Sequence, residues 1–405
     1  MIETKKNGRA LVVGLGIAGI ATALRLRQIG WEPVVVERAP ARRSGGYFIM
    51  LFGTGSASAE RLGVLDDIGD RSHDSLNQLE VNRQGRRRPG ISPADTPDGP
   101  RTVLRGDVER GLFDALPDDV EIRYSTVPVA IAQDADGVDV TLHDSAADVE
   151  KTERFDLVVG ADGMRSTVRR LAFGGEDFLH PLNYMIAATV LDRPVTGFGL
   201  NEGLVLAEAG RSAWTFPFYN HAPSLLFSYR TEDIDAEFRQ TPIESLRTAF
   251  GPEPTGALLE ELFEHYENAP DSLFDAVHQV KMPKWHEGRV ALVGDAAWCL
   301  SLYSGMGASS SIAGGELLGT MVQKHAGNLP AALGAWEERM RPFISTNQAS
   351  ALVMRRIFTP QDAKERVLRS GLVRLMNTPG ARKVMHKAVQ RSGSEQAKHE
   401  DVAAP

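Results

Sequence analysis

Between Ala10 and Pro40 the chain reads ALVVGLGIAGIATALRLRQIGWEPVVVERAP, and this stretch restricts the fold more than any other. A short β-rich run (Leu11, Val12, Val13) meets a glycine turn. A helical pattern follows, its apolar positions Ile17, Ile20, Ala21, Leu24 and Leu26 recurring about once per turn until Gly30 stops it. A second β-rich run covers Pro33 to Val36. The pattern predicts a βαβ unit with Gly14-x-Gly16-x-x-Gly19 at its strand-to-helix junction. Gly14 permits the tight turn, Gly16 lets a pyrophosphate approach the backbone, and Gly19 lets helix and strand pack closely. The N–H groups of the first turn, at Ile17 and Ala18, and the positive end of the helix dipole then suit phosphate. Glu37 ends the second strand 18 residues after Gly19, where a carboxylate accepts hydrogen bonds from the ribose hydroxyls of an adenine dinucleotide, and Arg38 stands beside it. The fingerprint alone does not separate NAD from FAD.

With 405 residues, 42% of them apolar, the chain has length for about two domains and a large core. A formal charge of -8 argues against a general nucleic-acid binder, which needs positive charge to displace counterions from phosphates. The single cysteine, Cys299, rules out an internal disulfide framework and fits a reducing cytoplasm. Ten histidines show no metal-binding spacing, so no metal is expected. Neither a signal peptide nor a transmembrane segment is read. A small molecule is left as the expected partner.

Two later stretches repeat the theme of a strand closed by glycine. In FDLVVGADGMRSTVRRLAF, the apolar strand Leu157–Val159 ends in Gly160-Ala161-Asp162-Gly163 and a helix opens near Ser166. In GRVALVGDAAWCLSLYSGMGASSSIAGGELLG, a strand ends in Gly294-Asp295 before a glycine-rich loop and a helix. Three such strands suggest a parallel sheet with ligand at its carboxyl edge. Residues 120–149 read as an antiparallel hairpin or three-stranded meander, and TVLRGDVERGLFDAL as a strand running into a helix with Arg105 at the junction. Residues 185–281 change character: YMIAATVLD, GLVLAEAG, SAWTFPFYN and SLLFSYR read as strands of an inserted antiparallel sheet, followed by an acidic helical stretch. The chain beyond Pro330 is helical, and Lys398 to Pro405 is expected to fray.

Taken in order, GLGIAG with Glu37, GADGMRSTVR, and GRVALVGDAA with SGMGAS resemble the signatures of the class A FAD-dependent aromatic hydroxylases, the para-hydroxybenzoate hydroxylase and tetracycline monooxygenase group. The resemblance covers the chain to about residue 345. It implies an α/β fold: a Rossmann-like FAD-binding domain of the glutathione reductase type (1–75, 101–182 and 282–345) and an inserted antiparallel-sheet substrate domain (76–100 and 183–281); the chain beyond is read as C-terminal helices (346–392) and a disordered tail (393–405). It also implies that Asp295, after Gly294, binds a ribitol hydroxyl, and that Gly305, Gly307, Ala308 and Ser309 open a helix toward the flavin pyrimidine. Arg105 would reach the FAD phosphates or ribityl chain, Asp162 and Gly163 would serve FAD and NAD(P)H docking, and Arg43 and Gly46 would lie along the flavin's mobile side. The sequence departs from the family where Trp298 replaces His, Leu302 replaces Pro and Gly314 stands near a usual Asp.

In this class NAD(P)H reduces the flavin, O2 adds to give a C4a-hydroperoxide, and oxygen passes to an electron-rich ring, so no metal or nucleophile is needed. The implied function is hydroxylation or oxidative modification of an aromatic or polycyclic small molecule, in secondary metabolism or drug inactivation. No residue is assigned to catalysis. Pocket candidates are Trp214, Phe216 and Tyr229, with Tyr219 as a further phenol; a plain aromatic core is the competing reading for the rings. The alternatives are an FAD-dependent reductase of an isoprenoid or other apolar substrate, and a non-catalytic flavin or ligand binder; the WxWxIP motif of flavin halogenases is absent. Ala351 to Ser392 carries ten Lys or Arg against two acids. This is read as a solvated or oligomer-contact face in a monomer or homodimer, with an anionic membrane or acidic partner as the alternative.

Overall fold

A computed structural model of the chain describes residues 7–42, 45–73, 75–90, 99–174, 178–378, 396 and 398–404. The run Arg9–Val13 forms the centre of a six-stranded sheet because both its faces are covered and its side chains are buried from Ala10 to Val13. It pairs in parallel with Glu32–Val36 on one side and Leu157–Gly160 on the other, placing Val12 between Val35 and Val159. Val290–Leu292 extends the parallel array beyond Leu157–Gly160, Glu121–Arg123 extends it beyond Glu32–Val36, and the short edge strand His286–Glu287 runs antiparallel. The three glycine-ended strands thus lie side by side with their carboxyl ends at one edge.

The helix Ile17–Gln28 packs on this sheet and against a second helix, Gly307–Lys324. Beyond Gly307–Lys324, a triangle of indoles (Trp285, Trp298, Trp336) fills the core, with ring centroids 4.7 to 6.0 Å apart. Trp298 is packed core, and Gly314 explains how: a Cβ there would lie 2.8 Å from the Trp298 ring. The missing side chain at 314 leaves the room that the Trp298 ring occupies. The expected meander is present as Thr126–Gln133, Val138–Asp144 and Val149–Phe155.

A seven-stranded sheet lies over the carboxyl edge of the first. Its strands run, in spatial order, Ser272–Val280, Leu179–Val190, His221–Arg230, Arg211–Phe218, Glu202–Glu208, Asn77–Val81 and Arg87–Pro89. Helices Pro242–Phe250 and Gly256–Glu267 cover its far face through Leu246, Phe250, Leu259 and Phe263. The long helix Leu329–Phe358 and the helix Ala363–Met376 bind it at the other end, where the Arg369 guanidinium donates to both oxygens of Glu80 and to the Ile357 carbonyl. Residues 379–395, which hold part of the basic stretch, lie outside the described residues.

The end of the chain differs from the expected frayed tail. Val402 and Ala403 are buried, the Val402 N–H donates to Thr54, and Asp401 pairs with Arg61 at 2.6 Å. Two small apolar residues beside an acid that neutralises Arg61 give this segment more to gain from docking than its polar composition suggested.

Candidate functional site

The glycine turn is closed from two sides. Gly14, at φ 106°, donates its N–H to the Val36 carbonyl at 2.8 Å, and a Cβ on it would lie 2.5 Å from the Ala161 carbonyl oxygen. Gly19 sits against the Gly14 carbonyl so closely that a Cβ would overlap it. Gly16 is left open, with the Arg105 guanidinium 4.0 Å from where a Cβ would sit. Glu37 is anchored by the N–H groups of Leu15 (2.9 Å) and Ala39 (2.8 Å), so its carboxylate shapes the turn and still borders the cavity beyond it.

That cavity, about 650 Å³, runs from Glu37 and Arg38 past Gly14, Gly16, Ile17 and Ala18 to Arg105, and on to Asp295, Gly305, Gly307 and Ala308. Asp162 and Gly163 border it from the neighbouring strand end. The helices Ile17–Gln28 and Gly307–Lys324 both begin at it with no capping side chain and no acid in the first turn. Their leading N–H groups are therefore open to an anionic ligand.

Arg105 begins the helix Arg105–Asp114, its N–H donating to the Tyr47 carbonyl and its guanidinium 2.6 Å from Glu109. Asp295 is exposed to the open cavity although protein surrounds that cavity; this enclosure pushes its carboxyl above the usual range, and the nearby Arg105 opposes that. The Asp162 carboxylate is raised by burial as well, and its oxygens accept from the Ser166 hydroxyl (2.5 Å) and the N–H groups of Thr167 and Val168. Those bonds cap the helix Thr167–Phe173, so Asp162 shapes its loop from within. Arg169, on that helix and buried, donates to the carbonyls of Met164 (2.6 Å) and Ala296 (2.8 Å), tying the Asp162 loop to the Asp295 turn.

Other expected positions lie behind the lining. Gly19, Gly46 and Gly294 support close packing: a Cβ would lie 2.7 Å from the Gly106 nitrogen at Gly46 and 2.8 Å from the Ala18 Cβ at Gly294. Ser309 is buried and its hydroxyl accepts from the Phe52 N–H at 2.9 Å. Arg43 lies outside the described residues.

On the sheet side, Phe216 borders the cavity, and Trp214 stands behind it, donating to the Phe358 carbonyl at 3.1 Å. Tyr229 requires a correction. It lies on the opposite face, packed with Phe227 under the covering helices, and its hydroxyl donates to Glu237 at 2.7 Å. The cause is register: a bulge between Phe216 and Phe218 sets two residues of one strand against one of the other, pairing Trp214 with Leu226 and Arg211 with Tyr229. Burial pushes the phenol well above its ordinary pKa, which also removes it from acid–base work. Tyr229→Phe is expected to leave substrate-stimulated cofactor oxidation unchanged while lowering stability by about 1 kcal/mol; a lost stimulation would return the phenol to the site. Tyr219 is 68% exposed in the connecting turn and does not reach the cavity.

Sequence reasoning missed Tyr47, Phe48, His278, Asp275 and Phe358, all of which border the cavity. Tyr47 and Phe48 directly follow the Gly45-Gly46 pair, a signal that was available. Phe358 is brought in by a helix from the far end of the chain and carried no local signal. Cys299 also borders the cavity, and burial followed by the neighbouring Asp295 keeps its thiol protonated. Among the described residues there is no cluster fit for a metal, and no helix is long and apolar enough to cross a membrane.

A family model described as an FAD binding domain matches residues 8–327. A flavin-dependent monooxygenase of Legionella longbeachae is 28% identical over 372 residues, spanning 88% of this chain and 91% of its own. The crystal structure of the tetracycline destructase Tet(51) superposes with a TM-score of 0.76 at 25% identity, covering 100% of this chain and 99% of that one. Klebsiella pneumoniae HpxO, complexed with FAD and uric acid, shares the fold with a TM-score of 0.71 at 17% identity over 98% and 97% of the two chains.

Proposed function

The chain belongs to the FAD binding domain family, and on that premise we propose an FAD-dependent monooxygenase that takes electrons from NAD(P)H and transfers one oxygen atom of O2 to an aromatic or polycyclic small molecule. The observation that carries this reading is the convergence of Glu37, Arg105 and Asp295 on one elongated cavity whose far wall is aromatic and aliphatic. Bound FAD supplies the redox and oxygen chemistry. The chain's part is to hold and orient. Glu37 suits the adenosine ribose, the open N-terminus of Ile17–Gln28 the pyrophosphate, Arg105 a phosphate or the ribityl chain, and Asp295 a ribitol hydroxyl. The N-terminus of Gly307–Lys324 suits the electron-rich edge of the flavin pyrimidine, where negative charge gathers on reduction. The sheet wall excludes water from the reacting ring. NAD(P)H would approach near Asp162 and Gly163, and a cytoplasmic setting is part of the proposal.

Asp295→Ala and Glu37→Ala are each expected to weaken FAD binding at least about tenfold, equivalent to about 1.4 kcal/mol, the scale of one charge-assisted hydrogen bond. Fluorimetric titration of the flavin-stripped protein measures this. Screening phenolic and polycyclic compounds should find at least one that stimulates NADPH oxidation together with O2 uptake. Unchanged flavin affinity in both variants, or a protein that stays colourless when FAD is added, would end the reading.

A further inference from the structure

The cavity wall on the seven-stranded sheet is carried by Phe48, Ile186, Ala188, Phe216, Leu226 and Phe358. Its rings form a ladder: Phe48 lies on Phe216 at 4.1 Å and 11°, Phe216 is within 8° of parallel to Trp214, and Trp214 meets Phe358 at 4.6 Å. The hydroxyl of Ser224 on this wall is already engaged, donating to the Thr189 carbonyl at 3.0 Å and accepting from the Phe48 N–H at 3.1 Å. Charge enters the wall at Asp275, cross-strand neighbour of Ile186. Its carboxylate takes both terminal nitrogens of Arg165, at 2.6 and 3.1 Å, from the loop that follows Asp162.

We propose that this site, on the monooxygenase reading above, takes an uncharged, flat multi-ring molecule, and that the Arg165–Asp275 pair is its charge filter. A ring carrying a carboxylate would set that charge against apolar side chains, and, among the described residues, the Arg165 guanidinium that borders this wall is already held bidentately by the Asp275 carboxylate. The incoming anion would also meet Asp275. A neutral hydroxyl on the same ring loses far less, because an apolar pocket rejects a hydroxyl only weakly. The filter works by placing an opposing charge, so altering the pair alters preference in a direction fixed by which partner is lost.

Equilibrium dialysis of the flavin-loaded protein, without NAD(P)H, tests this with two matched pairs: 2-hydroxymethylanthraquinone against anthraquinone-2-carboxylate, and 2-naphthalenemethanol against 2-naphthoate. The neutral member of each pair should bind at least about tenfold tighter. Asp275→Asn frees the guanidinium and should erase or reverse the preference, whereas Arg165→Gln leaves the carboxylate alone and should widen it. Carboxylates binding as tightly as their neutral partners, neither neutral ring binding, or both variants keeping the wild-type ratio would overturn the proposal. Dialysis reads no turnover, so charge discrimination without substrate-stimulated O2 uptake would sink the monooxygenase reading and leave the filter standing.

Discussion

Gly19→Ala is expected to cost the protein its flavin and about 1 to 3 kcal/mol of stability. The added methyl would overlap the Gly14 carbonyl oxygen and crowd the Ala161 Cβ, 3.4 Å away. Neither can retreat: the Gly14 N–H is bonded to Val36, and Ala161 donates to the Val13 carbonyl from the next strand of the sheet. The helix must therefore shift outward, and its leading N–H groups move with it. Gly334→Ala is the control, because no atom lies within 4 Å of that Cβ on the helix Leu329–Phe358, so it should be neutral or stabilising by up to about 1 kcal/mol. Thermal unfolding and flavin absorbance of the two variants read the comparison. A Gly19→Ala protein that keeps its yellow colour and its melting temperature would show that close packing at this turn is not what positions the cofactor.

Arg169→Met is expected to be the second severe change, at about 2 to 4 kcal/mol with at least a tenfold loss of FAD affinity. The guanidinium holds the buried carbonyl of Ala296 in the short helix Asp295–Trp298 and the half-buried carbonyl of Met164 in the loop after Asp162, two segments that border the cavity. Methionine fills a similar volume and leaves both acceptors unpaired. Lysine keeps the charge but lacks the fork, so Arg169→Lys should fall between the two. Stability and affinity should fall together in this series. Wild-type flavin affinity in a destabilised Arg169→Met would reduce the residue to a scaffold role.

The cofactor side was legible in the sequence because its information is local. Each of the three strand–glycine–helix stretches states its own geometry, and parallel strands ending in ligand-facing turns can be arranged at one edge in few ways. The sheet side was less legible because its information lies in register. Trp214 and Tyr229 would share a face if the hairpin ran regularly from Phe218 opposite His221; the bulge flips the parity beyond it. Pro217 in one strand and Pro223 in the other flank that bulge, and prolines inside paired strands are the signal that regular pairing fails there. Arg169 was visible as a helical arginine, but nothing in its neighbourhood announces a partner at Ala296. The docked segment near Val402 was hidden for the same reason: its partners Thr54 and Arg61 lie more than three hundred residues away in the chain.

The contact between Trp298 and Gly314 constrains how such a sequence can have changed. An indole at 298 and any side chain at 314 compete for one volume, so neither substitution is independent of the other. A side chain introduced at 314 would have to displace the Trp298 ring, and an indole introduced at 298 beside a side chain at 314 would meet the same clash. Transplanting the tryptophan alone into a relative that keeps a side chain at the second position should therefore fail where the paired exchange succeeds, an epistasis set by a few ångströms of shared space.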